Sequence, residues 1–318
     1  MISPIDLQYM PSSLTAISLA GPHLRLNIPG ISNLFRFIAR HIHTAILFTW
    51  TDYKTIFLPI TVFGCATAPV QSIGHLLQAC LWIWLHLLLC NVSNQASSKS
   101  EDLVNRPWRP LPAGRVNDSQ IKILRVTMIG LCISWSLALY GVEIMLVTLG
   151  LVLTTYAYDE MGLARSPVGK NFCNIWGYVS FETAAVRLMG SELSFDHVAR
   201  VAVCLSGTLI FSTIQAQDFP DVEGDKAAGR VTLPIYAPEL SRVFTLLIIP
   251  LWSAGLSWYW GVGWVTKVAT VLLGCLVGVR YYAWRTPKSD RRSYLIFNVW
   301  LGAMSILPLH ARFGVFAF

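Results

Sequence analysis

The chain has 318 residues, of which 54% are hydrophobic and only 13% are charged. A typical soluble domain carries about 25% charged residues, so this composition excludes both a soluble domain and a disordered chain. The net charge is +7, but the positive residues lie between apolar segments, which favours membrane topology over nucleic-acid binding. The sequence therefore predicts an all-α, polytopic integral membrane protein in a lipid bilayer, with no nucleic-acid partner.

Residues 1–40 are predicted to form an N-terminal tail with an interfacial segment, and residues 41–318 a transmembrane domain. The first 30 residues lack a basic stretch followed by an apolar one, so we expect no cleaved signal peptide. The seven cysteines form no CxxC pair, so we expect neither disulfides nor a zinc site. Nine apolar segments approach the roughly 17–25 residues that a spanning helix needs. They lie near residues 55–70, 72–93, 119–140, 142–158, 171–190, 197–216, 241–260, 263–284 and 294–312.

Lysine and arginine concentrate in the tail and in the loops after the second, fourth, sixth and eighth segments, whereas the interior loops on the opposite side hold only Lys267. Because positive residues mark the cytoplasmic side, we expect the tail and these loops to be cytoplasmic. The membrane would be that of the endoplasmic reticulum in a eukaryote. Part of the positive excess has a second explanation, which is the binding of an anionic substrate.

Two acidic stretches lie where the second and sixth segments leave the membrane on that side. The first acidic motif, residues 94–109, runs into the loop NRPWRPLPAGR over residues 105–115, and the second, residues 218–230, runs into GRVTLP over residues 229–234. Four segments separate their helices, which makes these helices parallel and indicates a faint internal duplication. Pro220 is expected to kink the end of the helix that carries the second motif. If both segments continue as helices, the residues that share a face are Asn94, Ser98 and Asp102 in the first, and Asp218, Asp221 and Asp225 in the second.

Carboxylates on two helices, with basic residues beside them, are typical of a site that binds a diphosphate through Mg²⁺. This ion is held by one or two carboxylates plus phosphate oxygens, and Lys and Arg bind the phosphate directly. One alternative is that the carboxylates are solvated charges at helix ends. Another is a transporter, which does not predict acidic residues in helical register beside Arg-Pro loops. Nothing in the sequence indicates an obligate protein partner.

Together the two motifs resemble those of the UbiA superfamily of intramembrane prenyltransferases, which show NDxxDxxxD before an NRPxRPxPSG-like loop and DxxDxxxD before GxxTLP. The resemblance covers nearly the whole chain. It implies a UbiA-like domain over residues 41–318, with nine transmembrane helices around a central cavity. It also implies that a prenyl diphosphate binds with Mg²⁺ between the motifs and that its tail runs into the cavity.

The resemblance further implies roles for the residues at matching positions. The implied metal ligands are Asn94, Asp102, Asp218, Asp221 and Asp225, and the four aspartates among them are also the implied catalytic residues. The implied diphosphate-binding residues are Asn94, Ser98, Arg106, Tyr158, Lys170, Lys226 and Arg230. Tyr158 and Lys170 stand further apart than in the family's YxxxK pattern, and Arg165 is an alternative to Lys170.

The first motif departs from the family pattern, because Gln95 and Ser98 stand where the family has aspartate. Glu101, beside Asp102, is a compensating carboxylate. Since a hydroxyl is a poorer Mg²⁺ ligand than a carboxylate, we expect this motif to bind metal more weakly or to hold one ion fewer. The altered form is most similar to a fungal branch that contains the membrane-bound bergamotene-type sesquiterpene cyclase.

The favoured hypothesis is a Mg²⁺-dependent enzyme that ionises farnesyl diphosphate and cyclises it to a sesquiterpene hydrocarbon, and the alternative is a prenyltransferase with an aromatic or other small acceptor. Charges within a span are usually paired or functional. Glu182 is therefore predicted either to pair with Arg187 or to deprotonate a terminal cation. Aromatic candidates for the pocket wall are Trp82, Trp84, Trp135, Trp176, Tyr178, Phe181 and Phe211.

Overall fold

A computed structural model describes residues 29–190 and 195–318, and within these ranges the chain is helical and contains no strand. Most of the predicted tail, residues 1–28, lies outside the described part. Helix α1 (Pro29–Thr49) is amphipathic: Leu34 and Ile38 are exposed on one face, and Arg36 and Arg40 lie on the other. The interfacial segment over residues 1–40 stays a prediction.

The remaining helices follow the predicted segments. Those that correspond to segments are α2 (Leu58–Thr67), α3 (Ile73–Ser97), α5 (Asp118–Asp159), α6 (Pro167–Met189), α7 (His197–Thr213), α10 (Pro238–Tyr259), α11 (Trp264–Ala283) and α12 (Pro287–Ile306). The short helices are α4 (Lys99–Asn105), α8 (Val222–Ala227), α9 (Leu233–Tyr236) and α13 (Pro308–Phe313).

Helix α5 contains two of the nine predicted spans. It is 42 residues long and is interrupted at Gly141, whose φ of 80° lies in the left-handed region that other residues disfavour. The two halves correspond to the predicted spans over 119–140 and 142–158. Six helical stretches of the described chain are long and apolar enough to cross a membrane, and α5 counts once among them. The all-α, membrane-spanning fold is therefore confirmed.

A buried polar network joins α3 to both halves of α5. The Trp82 indole donates to the Ser136 hydroxyl at 3.0 Å, and the His86 ring lies 2.9 Å from the Thr148 hydroxyl. The hydroxyl groups of Ser136 and Thr148 are 2.8 Å apart, on opposite sides of the break in α5. Buried polar groups are costly unless paired, so this network fixes how the two halves pack on α3.

Helix α3 does not continue through the first acidic motif as one regular helix. Helix α3 ends at Ser97, and Ser98 adopts φ −111° and ψ 24° before α4 begins. The hydrogen bonds nevertheless continue, because Ser98 N–H donates to the Asn94 carbonyl at 2.9 Å and Asp102 N–H to the Ser98 carbonyl at 3.0 Å. The three predicted residues therefore remain stacked at one end of the bundle.

The second acidic motif is also less regular than predicted. Pro220 lies in a 3₁₀ turn over Phe219–Asp221, between the end of α7 and the start of α8. Proline has no N–H to donate, so an uninterrupted α-helix loses a hydrogen bond here. Asp221 N–H bonds to the Asp218 carbonyl at 3.2 Å in the tighter 3₁₀ spacing, and Asp225 follows on α8. The predicted kink at Pro220 is confirmed.

Candidate active site

The two acidic motifs meet where α4 contacts α8. Gly224 of α8 lies so close to Asn105, the last residue of α4, that a Cβ atom at this position would overlap the Asn105 amide. The missing Cβ therefore leaves room for the Asn105 side chain where the two segments approach each other. The predicted meeting of the two motifs is confirmed, although they are 115 residues apart between Arg106 and Asp221.

Each motif supplies an arginine to a carboxylate of the other. Arg106 of the first motif lies 2.9 Å from Asp221 Oδ2, measured from its Nη2 atom. Arg230 of the second motif lies 2.6 Å from Glu101 Oε2, measured from its Nη1 atom. These reciprocal ion pairs hold both motifs in one site and leave both arginines at the meeting point of the acidic residues.

The most deeply buried aspartates pair with basic groups of their surroundings. Asp102 Oδ1 accepts from Arg109 Nη1 at 2.8 Å, and both side chains are almost fully buried. Lys170 enters from the first turn of α6 and lies 2.7 Å from Asp218 Oδ1 and 3.7 Å from Asp225 Oδ2. Buried carboxylates are tolerated when they are paired in this way, so Lys170 is an integral part of the second motif's environment.

The predicted helper residues divide into those that lie in the site and those that do not. Tyr158 lies beside Arg230, with the guanidinium carbon 6.0 Å from the ring centroid. Lys170 is central, whereas the side chain of its predicted alternative, Arg165, is exposed. Lys226 is also exposed and forms no ion pair with a described residue. Lys226 therefore has the weakest structural support among the predicted diphosphate-binding residues.

Asn94 and Ser98 contact a carboxylate that the sequence reasoning missed. Asn94 Nδ2 donates to Asp159 Oδ1 at 3.1 Å, and the Ser98 hydroxyl donates to the Asn94 carbonyl at 2.8 Å. Asp159 is the last residue of α5 and follows Tyr158 directly. The available signal was this position next to Tyr158 at the end of a span. Gln95 points elsewhere and donates to the Phe48 carbonyl at 3.1 Å.

The segment before α2 adds further polar groups that no motif indicated. Thr51 lies 3.4 Å from Arg109, between Oγ1 and Nη2, and Asp52 Oδ1 accepts from the Thr55 hydroxyl at 3.1 Å. Burial lowers the pKa of Lys54, against the opposing effects of the Asp52 and Asp221 carboxylates. The segment that precedes the first span therefore belongs to the same charged region.

The pKa values of two charged groups outside the spans are shifted by their surroundings in the site. Burial raises the pKa of Glu101 above its usual value, and the guanidinium groups of Arg230 and Arg106 oppose this rise. For Arg230, burial alone would lower the pKa, but the facing groups of Tyr158, Glu101 and Asp225 outweigh it and raise the pKa. Arg230 therefore stays charged and is suited to binding an anion.

The fit of the site to a divalent cation depends on its carboxylate oxygens. Within the described ranges, no three His, Cys, Asp or Glu side chains lie close enough together to hold an ion, because basic side chains separate them. However, one oxygen each of Asp102 and Asp159 is buried and accepts no hydrogen bond from a described residue, whereas the corresponding oxygen of Asp225 faces Lys170 at 3.7 Å. Buried acceptors without a donor are rare, and carboxylate oxygens are what Mg²⁺ prefers. The residues present therefore fit such an ion.

An apolar cavity lies between α2, α7, α10 and α12. Its lining includes Phe63, Ser206, Leu209, Trp260 and Met304. None of the seven aromatic candidates named from the sequence lines this cavity, and Phe211 lies instead on a separate groove between α6 and α7. This cavity has room for about one water molecule and is too small for a prenyl tail, so the seven aromatic candidates stay predictions.

Glu182 and Arg187 do not form the pair predicted for the fifth span. Glu182 accepts from the Ser206 hydroxyl at 2.5 Å, whereas Arg187 lies 3.4 Å from Glu143 and 5.0 Å from the centre of the Phe195 ring. Residues five apart on a helix point in different directions, which explains the error. Deprotonation of a cation by Glu182 stays a hypothesis.

The helical bundle and its polar end define an integral membrane protein of the intramembrane prenyl-enzyme class. Residues 56–302 match the UbiA prenyltransferase family, and the chain therefore belongs to this family. It is an enzyme of UbiA type, either a terpene cyclase or a prenyltransferase.

Relatives and solved structures support this assignment. The chain is 31% identical over 279 residues to the fumagillin beta-trans-bergamotene synthase of Aspergillus fumigatus, which covers 85% of this chain and 92% of that protein. It is 27% identical to the somaliensene A/B synthase of Streptomyces somaliensis, over 84% of this chain and 92% of that protein. A UbiA homologue from Archaeoglobus fulgidus bound to DMAPP and Mg²⁺ shares the fold, with a TM-score of 0.61 at 16% identity over 86% of this chain and 99% of that chain.

Proposed function

We propose that the protein is a Mg²⁺-dependent intramembrane cyclase that ionises farnesyl diphosphate and converts it to a sesquiterpene hydrocarbon, with release of diphosphate. The observation that carries this proposal is the reciprocal pairing of Arg106 with Asp221 and of Arg230 with Glu101. It unites carboxylates for metal and cations for phosphate in one site, as the binding of a diphosphate requires.

In the proposed reaction, the bond between C1 of the prenyl group and the diphosphate oxygen breaks, and the diphosphate leaves with the electron pair. Mg²⁺, when bound, supplies positive charge that stabilises the leaving group. Asn94, Asp102, Asp218, Asp221 and Asp225 would hold the metal. Arg106, Arg230 and Lys170 carry fixed positive charge within the site and would bind the phosphate oxygens.

The allylic cation then reacts with a double bond of its own chain. Water has to be kept away from this cation, and aromatic faces can stabilise it, which the aromatic candidates on the spans would do. Loss of a proton from the last cation gives the hydrocarbon. The names of two relatives, a bergamotene synthase and a somaliensene synthase, support cyclisation over transfer.

The family description favours the second candidate, a prenyltransferase that moves the prenyl group to an aromatic or other small acceptor. The first ionisation step is the same, so the two functions differ in what meets the cation. We further propose that residues 1–40 form a tail with an interfacial segment before the UbiA-like domain over residues 41–318. The motif loops would face the cytoplasm, in the endoplasmic reticulum of a eukaryote, because basic residues concentrate on that side.

The test is to incubate membranes that contain the full chain with farnesyl diphosphate and Mg²⁺, without an acceptor. We expect a volatile hydrocarbon and inorganic diphosphate in equal amounts, detected by mass spectrometry and a phosphate assay. Consumption of substrate only after an aromatic acceptor is added would overturn the cyclase in favour of the transferase. The Asp221→Asn variant should be inactive, whereas Glu223→Gln, which changes an exposed carboxylate of α8, should match the unaltered chain.

A further inference from the structure

The first acidic motif lacks carboxylates at two positions, and the structure brings one to it from another helix. Gln95 and Ser98 stand where the family pattern has aspartate, and Gln95 is committed to the Phe48 carbonyl. Asp159, at the end of α5, contacts Asn94, the first residue of the motif, although it lies 65 residues away in the chain. The motif therefore has a carboxylate neighbour that its own sequence does not supply.

The contact with Asn94 fixes how the Asp159 carboxylate is presented. Asn94 Nδ2 donates to Asp159 Oδ1, and Asp159 Oδ2 is buried and receives no hydrogen bond from a described residue. Ser98, on the other hand, gives its hydroxyl hydrogen to the Asn94 carbonyl and lies 3.5 Å from Asn94 Oδ1. Asn94 is thus shared by the serine that replaced a carboxylate and by the aspartate that offers one.

A second observation is that this region contains buried carboxylate oxygens that accept no hydrogen bond from a described residue. Asp102 is more than nine-tenths buried, and its Oδ2 atom, like that of Asp159, accepts no hydrogen bond within the described ranges, whereas Asp225 Oδ2 faces Lys170 at 3.7 Å. Arg230 interacts electrostatically with Asp159 as well as with Asp225 and Glu101, which assigns Asp159 to the same charged region. Buried carboxylate oxygens without donors are expected where a cation belongs.

We propose that Asp159 is a Mg²⁺ ligand that replaces the carboxylate missing at Ser98, with Asn94 orienting it through its amide. This inference rests on the proposed function, since it concerns the metal that the diphosphate brings. A hydrogen bond that orients a ligating carboxylate is a common arrangement at metal sites. A carboxylate at the end of α5 thus takes the place of the one that the family pattern has at the end of α3, and the ligand remains a carboxylate. We call this replacement the exchange.

The test compares Asp159→Asn with Glu160→Gln, which changes the neighbouring, exposed carboxylate that pairs with Arg125. The readout is the Mg²⁺ concentration that gives half of the maximal thermal stabilisation of the detergent-solubilised full chain in the presence of inorganic diphosphate. We expect this midpoint to rise about tenfold or more in Asp159→Asn, as for lost groups at metal sites, and to stay unchanged in Glu160→Gln. An unchanged midpoint in Asp159→Asn would overturn the inference.

A second variant tests the exchange itself. Ser98→Asp in the Asp159→Asn background returns a carboxylate to the first motif, and we expect the midpoint to fall back towards that of the unaltered chain. A midpoint that stays at the single variant's value would overturn the exchange. If the unaltered chain shows no Mg²⁺-dependent stabilisation with diphosphate, the proposed function itself fails. If Mg²⁺ with diphosphate stabilises the unaltered chain and Asp159→Asn has the same midpoint, only the proposed role of Asp159 is overturned.

Discussion

The two acidic motifs differ in where their charge partners come from. In the second motif, the three aspartates pair with Lys170 of α6 and Arg106 of the first motif, and Arg230 of the motif itself lies 3.7 Å from Asp225. In the first motif, the remaining aspartate, Asp102, pairs with Arg109 of its own loop. Basic residues of other elements thus neutralise most of the negative charge of the second motif. The first motif contributes arginines to the site as well as carboxylates.

This difference makes the two halves of the site unequal. The second half keeps every carboxylate of its pattern, while the first half has exchanged two for uncharged residues. One of these, Gln95, bonds to the Phe48 carbonyl and serves packing, and the other, Ser98, stands at the junction of α3 and α4. We therefore expect substitutions in the second motif to have larger effects on turnover than equivalent substitutions in the first.

The largest expected effect is that of Asp225→Asn, which removes a buried carboxylate of the second motif. Loss of a metal ligand removes several kcal/mol of transition-state stabilisation, so diphosphate release should fall about 100-fold or more. The measurement is diphosphate release from farnesyl diphosphate at saturating Mg²⁺. The control is Glu223→Gln on the same helix, and normal turnover in Asp225→Asn would refute the metal assignment.

Lys170→Met should destabilise the fold as well as the site. It leaves Asp218 and Asp225 without their nearest cation, and removing one partner of a buried ion pair costs about 3–5 kcal/mol. The measurement is unfolding of the solubilised chain by denaturant. Lys226→Met, which removes an exposed lysine on α8, is the matched comparison and should change stability little. Equal stabilities for the two variants would show that Lys170 is not the principal partner.

The reciprocal pairing is tested by a double-mutant cycle of Arg230→Gln and Glu101→Gln. If this pair joins the motifs, the two changes should be non-additive, with a coupling free energy of about 0.5–3 kcal/mol. Unfolding free energies of the four chains give this value directly. Additive effects would mean that the contact between α4 and α8 depends on packing at Gly224 and Asn105 alone.

The smallest expected effect is that of Ser98→Asp in the otherwise unaltered chain. It restores a carboxylate of the family pattern, so turnover should be retained and the Mg²⁺ requirement should stay the same or fall. Turnover as a function of Mg²⁺ concentration gives the answer. Loss of turnover would reveal that the serine hydroxyl, through its bond to the Asn94 carbonyl, shapes the junction between α3 and α4.

Much of the fold could be predicted because it depends on local properties. Apolar length fixed the approximate spans, and Gly141, between the third and fourth segments, was correctly left out of both. Irregular structure in the motifs was harder to predict: the kink at Pro220 follows from its missing N–H, but the break at Ser98 has no such signal. The pairing of Glu182 with Arg187 failed because it requires knowing which neighbouring helix each residue faces.

The sequence by itself determined that the protein is an all-helical membrane protein with two acidic motifs, because composition, apolar length and residue spacing are properties of consecutive residues. Only the tertiary structure decided that Asp159 reaches Asn94, that Thr51 reaches Arg109 and that each motif lends an arginine to the other. These contacts join residues 58 to 129 positions apart. They depend on how helices pack against one another, which spacing along a single helix does not specify.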